Sequence, residues 1–320
     1  MKFGLSFTQA LVTIEGGEYS TIDATGGLAF SGGELLVREA KFTENDSTNT
    51  GLTTGGALSL EGVKAVVRDS LFLENTGSYA CTGGCGGGAA ISHFGGSLEL
   101  IKNTFTSNSV SQNGVGGAIG LYDVLLEASE NLFNLNTAQT IGGAVYSLFG
   151  QSIFFNNLFE SNSINVNTAG VSQGGGAIAI DGTILTLVSN IFKSNSQIGA
   201  STINGDAGGA LLLRGVEGST GAAVIEGNTF ESNTSSADAG AIDIAGLASV
   251  FLTCNVFKAN VAGNGEGGAV DVLDSDVTSK GNVYLSNTST LPGGALRLWR
   301  SQMKSIEDVF TLNQSGASVS

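Results

Sequence analysis

Proline is almost missing from this sequence, one residue in 320, and cysteine (3), histidine (1), tryptophan (1) and methionine (2) are scarce. Each shortage excludes something. Glycine stands at 49 residues, about twice the roughly 7 % of average usage, yet with a single proline the chain is neither collagen nor proline-rich disorder. Three Cys and one His do not make a zinc site. Thirteen basic residues scattered among 28 acids, for a net charge of −15, leave no Lys/Arg cluster to neutralise phosphates, which excludes nucleic acid as a partner. The longest apolar runs, such as Ala177-Ile178-Ala179-Ile180, fall far short of the roughly 18 residues of a membrane helix, so no transmembrane segment is expected. What remains is 41 % hydrophobic with a mean hydropathy of +0.21, too apolar for an acidic disordered chain.

Internal repeats decide the organisation. A Phe-x-x-Asn element recurs ten times, at Phe42/Asn45, Phe72/Asn75, Phe105/Asn108, Phe133/Asn136, Phe159/Asn162, Phe192/Asn195, Phe230/Asn233, Phe257/Asn260, Tyr284/Asn287 and Phe310/Asn313. Between copies runs Gly-Gly-Ala-aliphatic, as in Gly55-Gly56-Ala57-Leu58, Gly142-Gly143-Ala144-Val145 and Gly267-Gly268-Ala269-Val270. From that Ala to the next aromatic the step is 15 residues at Ala57, Ala118, Ala144, Ala177, Ala269 and Ala295. From the aromatic forward to the next Ala it is 15, 13, 11, 18 or 18 residues, starting from Phe42, Phe105, Phe133, Phe159 and Phe192. Each repeat therefore has a rigid half and an elastic half. Ala210 to Phe230 is an exception at 20, which places a short insertion near Gly218-Ser219-Thr220.

The rigid half reads as strands. In 176–180, 240–244 and 268–272 aliphatic residues alternate with small or polar ones, the period-2 pattern of a strand with one buried face. Ile184-Leu185-Thr186-Leu187-Val188 reads as a second strand and the Phe segment as a third, and no window carries a helical stripe. Propeller blades have four strands and more residues, and leucine-rich repeats need a longer Leu consensus. The expected fold is therefore all-β, a right-handed single-stranded parallel β-helix of about 10–11 coils with three short strands each. Identical positions then stack about 4.8 Å apart, giving a rod about 50 Å long. The expected organisation is a single domain over 1–320, with 1–25 a degenerate first coil, 26–314 regular coils and 315–320 the start of an incomplete one.

That fold gives the residue types reasons. The Asn three after each aromatic (Asn108, Asn136, Asn162, Asn195, Asn260 among them), and the Asn two before it, sit at corners. There Asn tolerates left-handed angles and its amide can bond the same amide one coil away, forming a ladder. Phe105, Phe133, Phe159, Phe192, Phe230 and Phe257 would stack as an internal column, worth about 0.5–1.5 kcal/mol per pair beyond burial. The Gly pair would supply unusual dihedrals after the variable loop. Scarce proline follows from N–H groups committed to ladders.

Gly-Gly-Ala-[Ile/Leu/Val] alternating with Phe-x-x-Asn resembles the repeats of the polymorphic outer membrane protein family, known from chlamydial surface autotransporters and from other extracellular proteins of bacteria and protists. The likeness covers about residues 26–317. It implies a surface-exposed, adhesin-like or structural β-helix without enzymatic activity. Met1 to Phe7 carries no sustained apolar segment and no small-x-small cleavage site, and so reads poorly as a signal peptide.

Candidate chemistry is sparse. Cys81 and Cys85 share one variable loop and either close a small disulfide, which an extracellular setting favours, or remain free thiols; Cys254 is expected to be buried as a small apolar group. Sequons for N-glycosylation occur at Asn45, Asn233, Asn287 and Asn313, all of them ladder positions, and an inward amide would exclude the sugar. Asp243 and Asp271 are expected at the same outward position on successive coils, with Arg297 next. Two carboxylates so close repel, which calls for Arg297 or a cation between them, and such a face suits a metal ion or a carbohydrate-active enzyme. His93, without a Ser or Cys nucleophile signature, is expected to be structural. No cofactor is expected. Two function classes stand: a non-enzymatic extracellular rod, adhesin or fibre, and a carbohydrate-active or carbohydrate-binding protein using the Asp243/Asp271/Arg297 face. The partners anticipated are surface glycans or a cell-surface ligand. A half-coil at 315–320 with unpaired edges implies either continuation into further coils or end-to-end self-association.

Overall fold

Strands separated by one repeat length pair in parallel throughout the computed structural model, which describes residues 5–21, 23–24, 27–47, 55–79, 87–112, 114–166, 174–199, 207–216 and 221–316. The chain winds as a right-handed parallel β-helix of eleven coils, with no helix among the described residues. Each coil contributes to three sheets: a long sheet that starts after Gly-Gly-Ala, an aromatic sheet built on the Phe segment, and a short sheet after the ladder Asn. In the third coil these strands are Leu58–Arg68, Leu71–Leu73 and Thr76–Tyr79.

The division of strands differs from the sequence expectation. The segments read as first and second strands form one continuous strand in early coils, as in Ile119–Ser129 and Val145–Phe155, and separate only from the seventh coil, as Ile178–Asp181 and Ile184–Val188. A residue of positive φ lies at the break, Gly182, then Gly246, Asp274 and Arg300 in later coils, and also at the same place within the unbroken strands, as Gly95, Asp123 and Phe149. The third strand of the coil lies instead beyond the Asn corner. Residues 5–21 and 23–24 form a first coil with a strand in each of the three sheets, and its Tyr19 takes the aromatic place, paired with Phe42. Ser315 belongs to the eleventh coil, pairing with Ser289, and 317–320 lie outside the described residues. The insertion near 218–220 also lies outside them.

The core is one axial column of side chains. Phe42, Phe72, Phe105, Phe133, Phe159, Phe192, Phe230, Phe257 and Tyr284 are fully buried. With Tyr19 and Phe310 at the ends they stack face to face, centroids 4.6–5.1 Å apart and planes within 3–20°. The coil rise sets this spacing. Beside the column run two polar ladders. From Asn45 through Asn313, each Asn Nδ2 donates to Oδ1 of the next coil's Asn at 2.8–3.0 Å, and most donate also to the carbonyl of the preceding coil's aromatic. The same Oδ1 accepts the preceding Asn backbone N–H, so these buried amides are satisfied on every side. A second ladder runs from Asn103 through Asn131, Asn157, Asn190, Asn228, Asn255 and Asn282 to Asp308.

Two local expectations are corrected. The left-handed residue at each corner is not the Asn but the one before it, such as Lys102, Ser107, Glu130 or Leu135 at φ of 55–56°. Asn instead ties the corner to its neighbours, which offsets the roughly 1–2 kcal/mol of a left-handed L-residue. Of the Gly pair, the first holds positive φ at Gly116, Gly142, Gly175, Gly267 and Gly293. The second is required by proximity, since a Cβ on Gly143 would lie 1.9 Å from the Gly176 carbonyl oxygen of the next coil.

Candidate functional site

The outer side of the long sheet's opening segment is roofed by the returning loops, and this position decides what its polar residues do. One outward register column runs Tyr146, Ala179, Leu212, Asp243, Asp271, Arg297. In the middle coils the roof is apolar: Val115 and Ile141 from the loops pack on Tyr146, Ala179 and Leu212 as a satellite core. In the later coils the same seam turns ionic.

Asp243 and Asp271 do stand in register one coil apart with Arg297 next, as expected. They are not surface groups, however: the loops leave them 3 % and 4 % exposed. Asp243 Oδ2 accepts the Ala207 N–H from the loop above. Arg297 bonds Asp271 Oδ2 at 2.9 Å and Glu266 Oε2 at 2.6 Å, while Asp238 Oδ1 accepts the Glu266 N–H at 2.9 Å. Burial pushes the Asp271 carboxyl up to about 6, opposed by the Arg297 guanidinium and reinforced by Asp238 and Glu266. The repulsion between stacked carboxylates is thus met by an arginine. No group of three or more His, Cys, Asp or Glu among the described residues is placed to hold a metal ion.

A second buried ionic group escaped the sequence reading. Arg214 makes two bonds to Asp181, Nε to Oδ1 at 2.7 Å and a terminal nitrogen to Oδ2 at 2.6 Å, and the Tyr146 hydroxyl donates to the same Oδ2 at 2.9 Å. Burial, more than the Asp181 charge, drives the Tyr146 phenol upward. The signal was present: Asp181 and Arg214 each stand four residues after the Ala of Gly-Gly-Ala in successive repeats, and so share a register position.

Cys254 is exposed, not buried, because it occupies the left-handed corner position at φ 54°, whose side chain points to solvent. Cys81 and Cys85 lie outside the described residues. Asn45, Asn233 and Asn287 are fully buried with both Nδ2 bonds made, so an N-linked glycan there is incompatible with the folded coil; Asn313, half-buried, donates to the Tyr284 carbonyl at 2.9 Å. His93 faces the core between Leu60 and Leu121, 1 % exposed, with Nε2 3.1 Å from the Val63 carbonyl oxygen. Burial holds its imidazole down to about 4. No helix is long and apolar enough to cross a membrane among the described residues. Comparison of the chain with family models, curated proteins and solved structures finds no match.

Proposed function

We propose that this chain is a non-enzymatic structural rod of the adhesin-like kind, displayed at the cell surface or outside the cell, with repeats of the polymorphic outer membrane type. The observation that carries the reading is axial continuity: one aromatic stack and an Asn ladder run from the early coils to the last without a break. An interior in which each coil is bonded to the next resists bending, which suits a stalk or fibre. The carbohydrate-active alternative needs carboxylates open to a sugar, and the mutual pairing and loop cover of Asp271 and Arg297 favour the structural reading.

In the eleventh coil Leu298 and Phe310 are 41 % and 49 % exposed, although their counterparts one coil earlier, Val272 and Tyr284, are fully buried. A further coil would cover them, supplied either by continuation of the chain or by end-to-end contact with another copy. Targets for such a rod are surface glycans or a protein of a neighbouring cell. Immunogold electron microscopy of native material is the test: label on rods or fibres at the cell exterior is expected. Label confined to the cell interior would overturn the reading, as would reducing ends released from a polysaccharide by the purified protein and lost in Asp271→Asn.

A further inference from the structure

Outward side chains on the later half of the long sheet are charged toward both ends of the rod and almost uncharged in its middle. One register column reads Glu99, Glu127, Ile153, Thr186, Val224, Phe251, Thr278, Lys304 from the fourth coil to the eleventh. Across coils six to nine, Phe155, Ile184, Val224 and Phe251 are 47, 49, 38 and 46 % exposed, and Glu226 is the single charge among the outward positions of that stretch. Four coils at about 4.8 Å and five residues at about 3.3 Å make this about 320 Å², within the range of the largest apolar patch of a monomer, which is often functional.

The column continues through Val66, Leu36 and Thr13 in the first three coils, and its charges, negative in coils four and five and positive in coil eleven, are unspent within the rod. Lys41, Lys64, Lys102, Lys193 and Lys258 each lie 2.7–3.8 Å from a glutamate of an adjacent coil. Among the described residues Lys280 and Lys304, like Glu99 and Glu127, have no such partner within the rod.

We propose that this face pairs with the same face of a second copy, the rods antiparallel about a two-fold axis lying between coils seven and eight. In that arrangement Ile153 meets Phe251, Thr186 meets Val224, and Glu99 meets Lys304, while Glu127 comes beside Lys280 one column away. Parallel rods would instead set Glu99 against Glu99 and Lys304 against Lys304, so the charge pattern selects the antiparallel pair. Two flat sheets in face-to-face contact pack about 10 Å apart at a small crossing angle, which this face permits. Coils four to eleven would bury about 1,300 Å² in total, the lower end for specific interfaces, so the dimer is reversible.

Sedimentation of the whole chain from about 1 to 300 µM tests this, spanning the affinity range of such interfaces. The mass is expected to rise from that of the 32.3 kDa monomer to twice that value and stop. Phe251→Glu should move the transition at least about tenfold upward in concentration, as for a central anchor, without changing the melting temperature. Lys304→Glu should weaken the dimer and Glu99→Lys in the same chain should restore it. A monomer at all concentrations, a dimer indifferent to Phe251→Glu, failure of the charge swap to restore pairing, or growth past the dimer that ignores Phe251→Glu would each overturn the proposal.

Discussion

Asn162 shows how a single residue type holds this protein together. Its side chain accepts the Asn136 N–H and Nδ2, and donates to the Phe133 carbonyl and to Asn195. Asn162→Ala therefore orphans buried donors and an acceptor at once, and should cost about 3 kcal/mol or more, read as a fall in urea midpoint. His93 and Asp271 act on pH dependence with opposite signs. The His93 pKa is depressed from 6.5 to about 4, so its stabilisation is present above 6.5 and lost as pH falls through that window, about 3 kcal/mol in all. The Asp271 pKa is raised from 3.8 to about 6, so its contribution is largest below 3.8 and is lost as pH rises toward 6. His93→Leu, matching Leu60 and Leu121 in its column, should remove the acid loss, and melting temperature against pH should then rise as pH falls from 6 to 4. A profile unchanged by His93→Leu would contradict the buried neutral imidazole. Asn ladders were legible because an amide that recurs three residues after every aromatic must occupy the same corner of every coil, within reach of its own kind. The cover over Asp243 and Asp271 was not, because it is built by loops of varying length that carry no period. Cys254 was misread for a related reason: its corner position is recognised by backbone geometry, and residues as different as Lys102, Glu130 and Ser189 occupy it.

At the scale of the strand, fixed spacing carried the information. The 15-residue step from Ala to aromatic recurs in most coils because the long strand, the corner and the aromatic strand must superpose on the coil below. Phe192, between Phe159 and Phe230 at 4.8 and 4.7 Å, is the test of that superposition. Phe192→Ala should cost about 3–5 kcal/mol and open the surrounding coil to protease, whereas wild-type resistance would show the ring is not internal. Gly143→Ala should be at least as damaging, since its methyl would meet backbone and no flexible side chain can yield. The separation of 176–180 from 184–188 was legible in the sequence, whereas the fusion of the equivalent segments into one strand in the first six coils was not. A left-handed residue sits at this position in unbroken and broken strands alike, as Asp123 and Gly182 show, so the residue type there does not reveal which strands divide.

For the whole molecule, the repeats made the fold class readable from sequence, since a constant segment joined by an elastic loop is what stacked coils tolerate. Function was less readable, because a solenoid specifies its interior in every coil while its surface is free to vary. If stability arises from coil stacking alone, chelation of divalent cations should leave the melting temperature unchanged; a large drop would promote the Asp243/Asp271 seam to a metal site. The central claim is that the interior is organised by continuous ladders along the axis. Hydrogen exchange of the Asn side-chain amides, followed by NMR, reads this directly. The Nδ2 protons of Asn136, Asn162 and Asn195 are predicted to exchange as slowly as the backbone amides of Phe133, Phe159 and Phe192. Exchange at the rate of a free amide would place those side chains in solvent and contradict the stacked β-helix itself.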